Sequence, residues 1–176
     1  MKTAVRWSVL VVALFCITAC KKNIIDYYTN GIVLRNYDNC DEFIRPAGDT
    51  VGMWCYVIRV NYESDETAYN GVNDNDTYAP ANLPTAVSIY SLQSFNTTHP
   101  AGSSLNEYFI CGPKLNAKAE DIVTDFPDTE DFYPTHDPDD LWLMTPPELP
   151  GSYSFVVRME FNDGVVVSDT TTVNLN

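Results

Sequence analysis

The sequence predicts an all-β protein, an antiparallel β-sandwich with long loops, on three observations. Near the C-terminus Tyr153, Phe155, Val157, Met159 and Phe161 fall on alternate positions, with Ser152, Ser154, Arg158 and Glu160 between them. That period of two makes a strand with one buried face. Asn162-Asp163-Gly164 then supplies a turn that tolerates positive φ, and residues 165–175 return as a second β-rich run, so the two form a hairpin whose apolar face needs a partner sheet. Finally, about six or seven such strand candidates, spaced by turns and long loops with little helix, argue for two packed sheets.

In chain order, residues 31–37 (GIVLRNY) are the first strand expected in the domain, and 39–41 and 45–48 are turn material. Residues 53–62 form the next, with Trp54, Tyr56, Ile58, Val60 and Tyr62 on one face and Cys55, Val57, Arg59 and Asn61 on the other. Residues 63–84 are rich in Asn, Asp and Tyr and read as a long loop, a length that in a compact domain is functional or mobile. Residues 86–92 (AVSIYSL) return to strand, 95–104 to turn, and 105–111 are apolar without a clear period. Leu115, Ala119, Ile122 and Phe126 recur at helical spacing, which predicts one short helix. Residues 121–140 carry eight acidic residues, no Lys or Arg, and Pro127, Pro134 and Pro138, so they read as a second long loop. A short strand at 141–144 leads into the final hairpin, and no internal repeat is present.

The N-terminus reads as an export signal. Lys2 and Arg6 precede an apolar run at 9–15 that is too short to span a membrane, followed by Ile17-Thr18-Ala19-Cys20. This order of charge, apolar run, small residue and cysteine resembles the lipobox of bacterial lipoproteins. The resemblance implies cleavage after residue 19, lipidation of Cys20 and an outer-membrane lipoprotein, since Lys21-Lys22 lacks an aspartate that would retain it in the inner membrane. The expected organisation is therefore 1–19 signal peptide, 20–29 lipidated tether and 30–176 a single domain. Removal of 1–19 leaves 8 of the 10 Lys and Arg against all 24 Asp and Glu, a net charge near −16. That balance opposes nucleic acid and anionic polysaccharide as partners. The partners expected are the membrane through the anchor and an extracellular protein or glycan.

Pro150-Gly151-Ser152-Tyr153-Ser154-Phe155, a turn and a Thr-rich strand resemble the last two strands of immunoglobulin-like domains. In that family a tyrosine near the start of the penultimate strand hydrogen-bonds back across the preceding corner. Tyr153 occupies that place, with Trp142 just upstream, and Trp54, Trp142 and Tyr153 are expected to be structural. The chain departs from the family in the inter-sheet disulfide, because no cysteine in 153–161 can pair with Cys55. Signal, size and C-terminus together are similar to short immunoglobulin-like lipoproteins of Bacteroidetes-type bacteria, a likeness that brings no activity with it.

With Cys16 in the signal and Cys20 lipidated, Cys40, Cys55 and Cys111 remain, and three single bridges are open in an oxidising compartment. The two histidines, His99 and His136, lie in turn and loop sequence, and no GxSxG, HExxH, phosphate loop or CxxC is present. The expectation is a non-catalytic protein. Asp128, Glu130, Asp131, Asp137, Asp139 and Asp140 offer oxygen ligands for calcium in a proline-stiffened loop, without EF-hand spacing; the bland alternative is a solvated acidic loop. Tyr69, Tyr78, Phe132 and Tyr133 place aromatic rings beside carboxylates and amides in the two long loops, a combination that suits stacking on sugar faces. Asp49-Thr50-Val51 and Asp169-Thr170-Thr171 resemble O-glycosylation sites of exported proteins from that bacterial group. The function expected is a binding or adhesion module for protein or neutral glycan on the cell surface. The alternatives are an accessory subunit of an envelope or pilus-like assembly, binding by strand addition, and a calcium-stabilised envelope domain.

Overall fold

The computed structural model describes residues 24–40, 44–64, 77–111 and 139–176. The signal segment, Cys20, the expected short helix and most of both long loops lie outside the described residues.

Eleven strands are described: β1 Ile24–Tyr27, β2 Thr29–Asp38, β3 Arg45–Pro46, β4 Thr50–Val51, β5 Tyr56–Ser64, β6 Thr77–Pro80, β7 Pro84–Ser91, β8 Phe109–Cys111, β9 Asp139–Leu143, β10 Gly151–Phe161 and β11 Val166–Leu175. One sheet runs β3-β2-β5-β9-β8, the other β4-β11-β10-β7, and β1 pairs with β6. Lettered in chain order, β2, β5, β7, β8, β9, β10 and β11 give A-B-E-D in one sheet and C-F-G in the other. That is the strand arrangement of a constant-type immunoglobulin-like sandwich.

The alternating pattern explains the core. Tyr56, Ile58 and Val60 of β5 face Phe155, Val157 and Met159 of β10, all buried with Leu141, Leu143, Phe109 and Ile89. The hairpin turn closes at Gly164, whose φ of +86° is one that only glycine adopts without strain. The register from Gly151↔Leu175 to Glu160↔Val166 runs without a bulge.

Phe155 stands two residues after Tyr153, where the family's second sheet-bridging cysteine would be. It is fully buried, and its ring meets Tyr56 at 5.5 Å, Phe109 at 5.7 Å, Tyr153 at 6.1 Å and Phe95 at 6.4 Å. An aromatic cluster therefore joins the two sheets at the point where a disulfide would. The Tyr153 hydroxyl donates to the Leu149 carbonyl at 2.7 Å, across the corner before β10.

Four sequence expectations are corrected. Trp54 does not lie on the core face of a strand. It sits in the turn before β5 and is 73 % exposed, because β5 begins only at Tyr56. Cys55 is likewise not in the middle of a strand; it bonds to Cys40, with Cys111 the buried thiol outside that bridge. The segment 20–29 is not tether throughout, since Ile24–Tyr27 pairs in parallel with Thr77–Pro80. That pairing also places Tyr78 in β6, opposite Ile25, and not in a loop.

Candidate functional site

The registers define two poles. Thr29 pairs with Ser64, Val60 with Asp139, Cys111 with Leu141, Phe161 with Pro84 and Glu160 with Val166. Across the sheets the Leu34 N–H donates to Asp169 Oδ2 at 2.8 Å, which aligns β2 with β11. The start of β2, the ends of β5 and β8, and the starts of β7, β9 and β11 therefore share one end, here the N-terminal pole. The disulfide, the Tyr153 corner and Asn176 share the other, the C-terminal pole.

Both long connections begin and end at the N-terminal pole. One leaves after Ser64 and returns at Thr77; the other leaves after Cys111 and returns at Asp139. Tyr69, Phe132, Tyr133, Asp128, Glu130, Asp131 and Asp137 lie within them, outside the described residues. The topology thus roots both connections at one end of the sandwich, which spacing in the sequence does not reveal.

Asn82, fully buried, organises this pole. Its Oδ1 accepts from Thr29 N at 2.9 Å, and its Nδ2 donates to Thr29 O at 3.0 Å and to Asp163 Oδ2 at 3.1 Å. One amide thus ties the start of β2, the approach to β7 and the β10–β11 turn. Its sequence, Ala-Asn-Leu-Pro, reads only as loop, so sequence reasoning passed it over. Beside it Tyr62 donates its hydroxyl to the buried Asp139 carboxylate. Burial first, and that carboxylate second, push the Tyr62 phenol well above its ordinary range.

Asp139 and Asp140 do not converge on one point. As neighbours in a strand they point to opposite faces of the sheet. Asp139 faces inward to Tyr62, while Asp140 on the outer face grips Arg59 at 2.7 and 2.8 Å in a two-pronged pair. The Arg59 guanidinium also lies over the Tyr37 ring, 4.1 Å from its centre. The hydrogen bond to Asp140 holds the guanidinium charged in spite of its partial burial. Trp142 shares this outer face, half-buried, with an indole N–H that is shielded and without a hydrogen-bond partner.

Among the described residues the one cluster of metal-ligand type is Asp38, Cys40 and Cys55. Its two sulfurs are joined to each other, which leaves one carboxylate and no thiolate to offer.

His99, at the C-terminal pole, is built into a turn. Asn96 Oδ1 accepts from Thr98 N at 3.0 Å and His99 N at 2.8 Å and meets His99 Nδ1 at 3.0 Å, while Nε2 reaches Glu107 at 2.9 Å. The Thr98 hydroxyl beside the ring is 2.9 Å from the same Asn96 oxygen. Both ring nitrogens are thus occupied in closing the loop onto Tyr108, which the ring meets edge-on. His136 lies outside the described residues.

The outermost strands are short or covered, but β3 pairs with only Tyr37 and Asp38 of β2, and β4 with only Asn174 and Leu175 of β11. β3 and β4 have two residues each, and β8 has three. β7, the long edge, is sealed along its outward side. Asn106 bonds Ile89 N at 2.8 Å and Val87 O at 2.9 Å through its side chain, Leu105 N donates to Ile89 O at 2.7 Å, and Gly102 N to Ser91 O at 2.8 Å. Such blunting protects β7, while most of the outer side of β2 and of β11, ten residues each, pairs with no described strand. The threonines of the two glycosylation-like triplets, Thr50 and Thr170, are both exposed on the four-stranded sheet.

No family model, curated protein or solved structure matches this chain.

Proposed function

We propose that this chain is a lipid-anchored, non-catalytic module of the cell envelope that captures protein or neutral glycan at its N-terminal pole. The observation that carries the reading is the convergence there of both long connections, with Ser64, Thr77, Cys111 and Asp139 as their roots. The two connections that carry these aromatic and carboxylate residues in the sequence are rooted at one end of the sandwich, as loops that bear binding sites are. The lipobox resemblance supplies the anchor, and the charge near −16 favours neutral over anionic ligands. Assembly by strand addition is the second reading: β7 is capped, while β3 and β4 cover only two residues each of β2 and β11.

The test is binding of the mature protein to an array of neutral oligosaccharides and extracellular proteins, beside the Tyr78→Ala/Tyr133→Ala variant. Capture that the variant loses while its melting temperature holds supports the reading. Capture that both retain equally places the site elsewhere. Protease shaving of intact cells shows whether the domain faces outward.

A further inference from the structure

Among the described residues eight large apolar side chains are exposed: Trp54, Leu92, Met144 and Leu149 at the C-terminal pole, and Tyr28, Leu83, Val165 and Val166 at the N-terminal pole. Tyr28 lies between β1 and β2, Leu83 directly before β7, and Val165 and Val166 just after the hairpin turn. The backbone beneath them is fixed. Asn162 N donates to the Leu83 carbonyl at 3.0 Å and Phe161 N to the Val165 carbonyl at 2.9 Å, while Asn82 joins Thr29 to Asp163. Each pole therefore holds out apolar groups that can serve as a contact surface, and exposure alone does not choose between them.

What the N-terminal surface meets follows from the chain leading into it. β1 begins at Ile24, so four peptide steps separate Cys20 from the fold, a reach of about 14 Å at full extension. The strands that carry the domain to its far pole are longer; β10, with 11 residues, covers on the order of 35 Å. An acylated Cys20 therefore holds the N-terminal pole, and not the pole of Trp54, within reach of the bilayer.

We infer that the N-terminal pole is a membrane-contact face, with Tyr28, Leu83, Val165 and Val166 seated at the headgroup boundary of the membrane that holds the anchor. This rests on the lipobox reading above. A tyrosine with a wet hydroxyl and an apolar ring suits that boundary, and the aliphatic side chains add buried area. Asp26 and Asp163 are exposed at the same pole, so the surface it fits is zwitterionic and not anionic. Because both long connections root at this pole, the ligand they would take is one presented at that membrane's own surface.

The test is amide NMR of the processed chain, held by its own anchor in phosphatidylcholine nanodiscs that contain a headgroup spin-labelled lipid. The amide signals of Leu83, Val165 and Val166 should weaken several-fold while those of Gly52 and Trp54 hold. Replacing Leu83, Val165 and Val166 by serine should remove the contrast without releasing the protein. Equal weakening at both poles, or weakening confined to Trp54, overturns the inference. So does patch broadening that depends on protein concentration without lipid, which would mean a second copy. An intact mass without acyl chains defeats the lipobox reading separately. The unacylated chain is then titrated with the same nanodiscs: weakening confined to the Leu83 pole supports the face, and uniform or absent weakening refutes it.

Discussion

Replacing Asn82 by alanine should destabilise the domain far beyond what a loop position normally costs. The substitution removes three hydrogen bonds, of 2.9, 3.0 and 3.1 Å. Two of them serve the backbone N–H and C=O of Thr29, a residue only 1 % exposed. Each buried group that loses its partner costs roughly 1–3 kcal/mol, and the bond to the more exposed Asp163 less, for a total of about 3 kcal/mol. In a domain of this size that lowers Tm by about 6–12 °C. The assay is urea unfolding, where the midpoint should fall with m unchanged. Asn82→Asp should be worse than Asn82→Ala at neutral pH, since a carboxylate would face the Thr29 carbonyl and Asp163. Its penalty should shrink on acidification, because the charge is disfavoured in the folded state and stability is regained as the carboxyl protonates. Thr29→Val is the control. It removes only a buried hydroxyl that has no partner and should cost little. A loss below about 1 kcal/mol for Asn82→Ala, or equal losses for Asn82→Ala and Thr29→Val, would refute the clamp.

Two further outcomes follow from the buried groups. Burial raises the phenols of both Tyr56 and Tyr62 above the ordinary value of 10.0. The folded state therefore keeps both protons where the unfolded state sheds them, so stability is intact below pH 10 and falls above it by about 1.4 kcal/mol per pH unit for each tyrosine. Absorbance at 295 nm should show these two ionising only together with unfolding; smooth ionisation in the folded state would contradict their burial. The Cys40–Cys55 bridge closes a separation of 15 residues, and its removal by Cys40→Ser/Cys55→Ser should cost about 3 kcal/mol by chain entropy. Thiol titration of the unfolded mature protein should find one thiol before reduction and three after; three at the outset would mean no bridge.

The hairpin was the most legible part of the chain, because Tyr153 to Phe161 alternate strictly and Asn162-Asp163-Gly164 marks the turn. Sandwich class and the Tyr153 corner were readable for the same local reason, whereas six or seven strands were expected and eleven are described, the additional ones being short. Trp54 was misplaced because alternation continues into the turn before β5, where Cys55 is drawn toward Cys40 and ends the pleat. The segment before β2 looked like a tether because its pairing partner, Thr77–Pro80, lies some fifty residues away. Asp139 and Asp140 looked like ion ligands because composition cannot show that adjacent strand carboxylates diverge toward Tyr62 and Arg59. The pole shared by the two long connections was invisible for a related reason: it depends on strand order, which alternation alone does not encode.

The two poles are closed by different means, and this bears on which one carries function. At the C-terminal pole a disulfide, the Tyr153 hydroxyl, the Asn96–His99 turn and two backbone bonds, Met53 N to the Asn176 carbonyl and Asn176 N to the Val51 carbonyl, act together. Loss of any one leaves the others in place. At the N-terminal pole the described polar closures between separate segments centre on Asn82 and on Tyr62 with Asp139. The binding role proposed for the N-terminal pole requires a fixed base beneath it. The Asn82 side chain ties Thr29 to the hairpin turn at Asp163, and Asn162 of the same turn holds Leu83 by its N–H and its Oδ1. Loss of Asn82 should therefore disturb the Tyr28, Leu83 and Val165 surface before it unfolds the aromatic core around Phe155. Hydrogen exchange of Asn82→Ala distinguishes the two regions: protection should fall first at Thr29, Leu83 and Val165 and last at Phe155, and a uniform fall would mean that the pole and the core open as one unit.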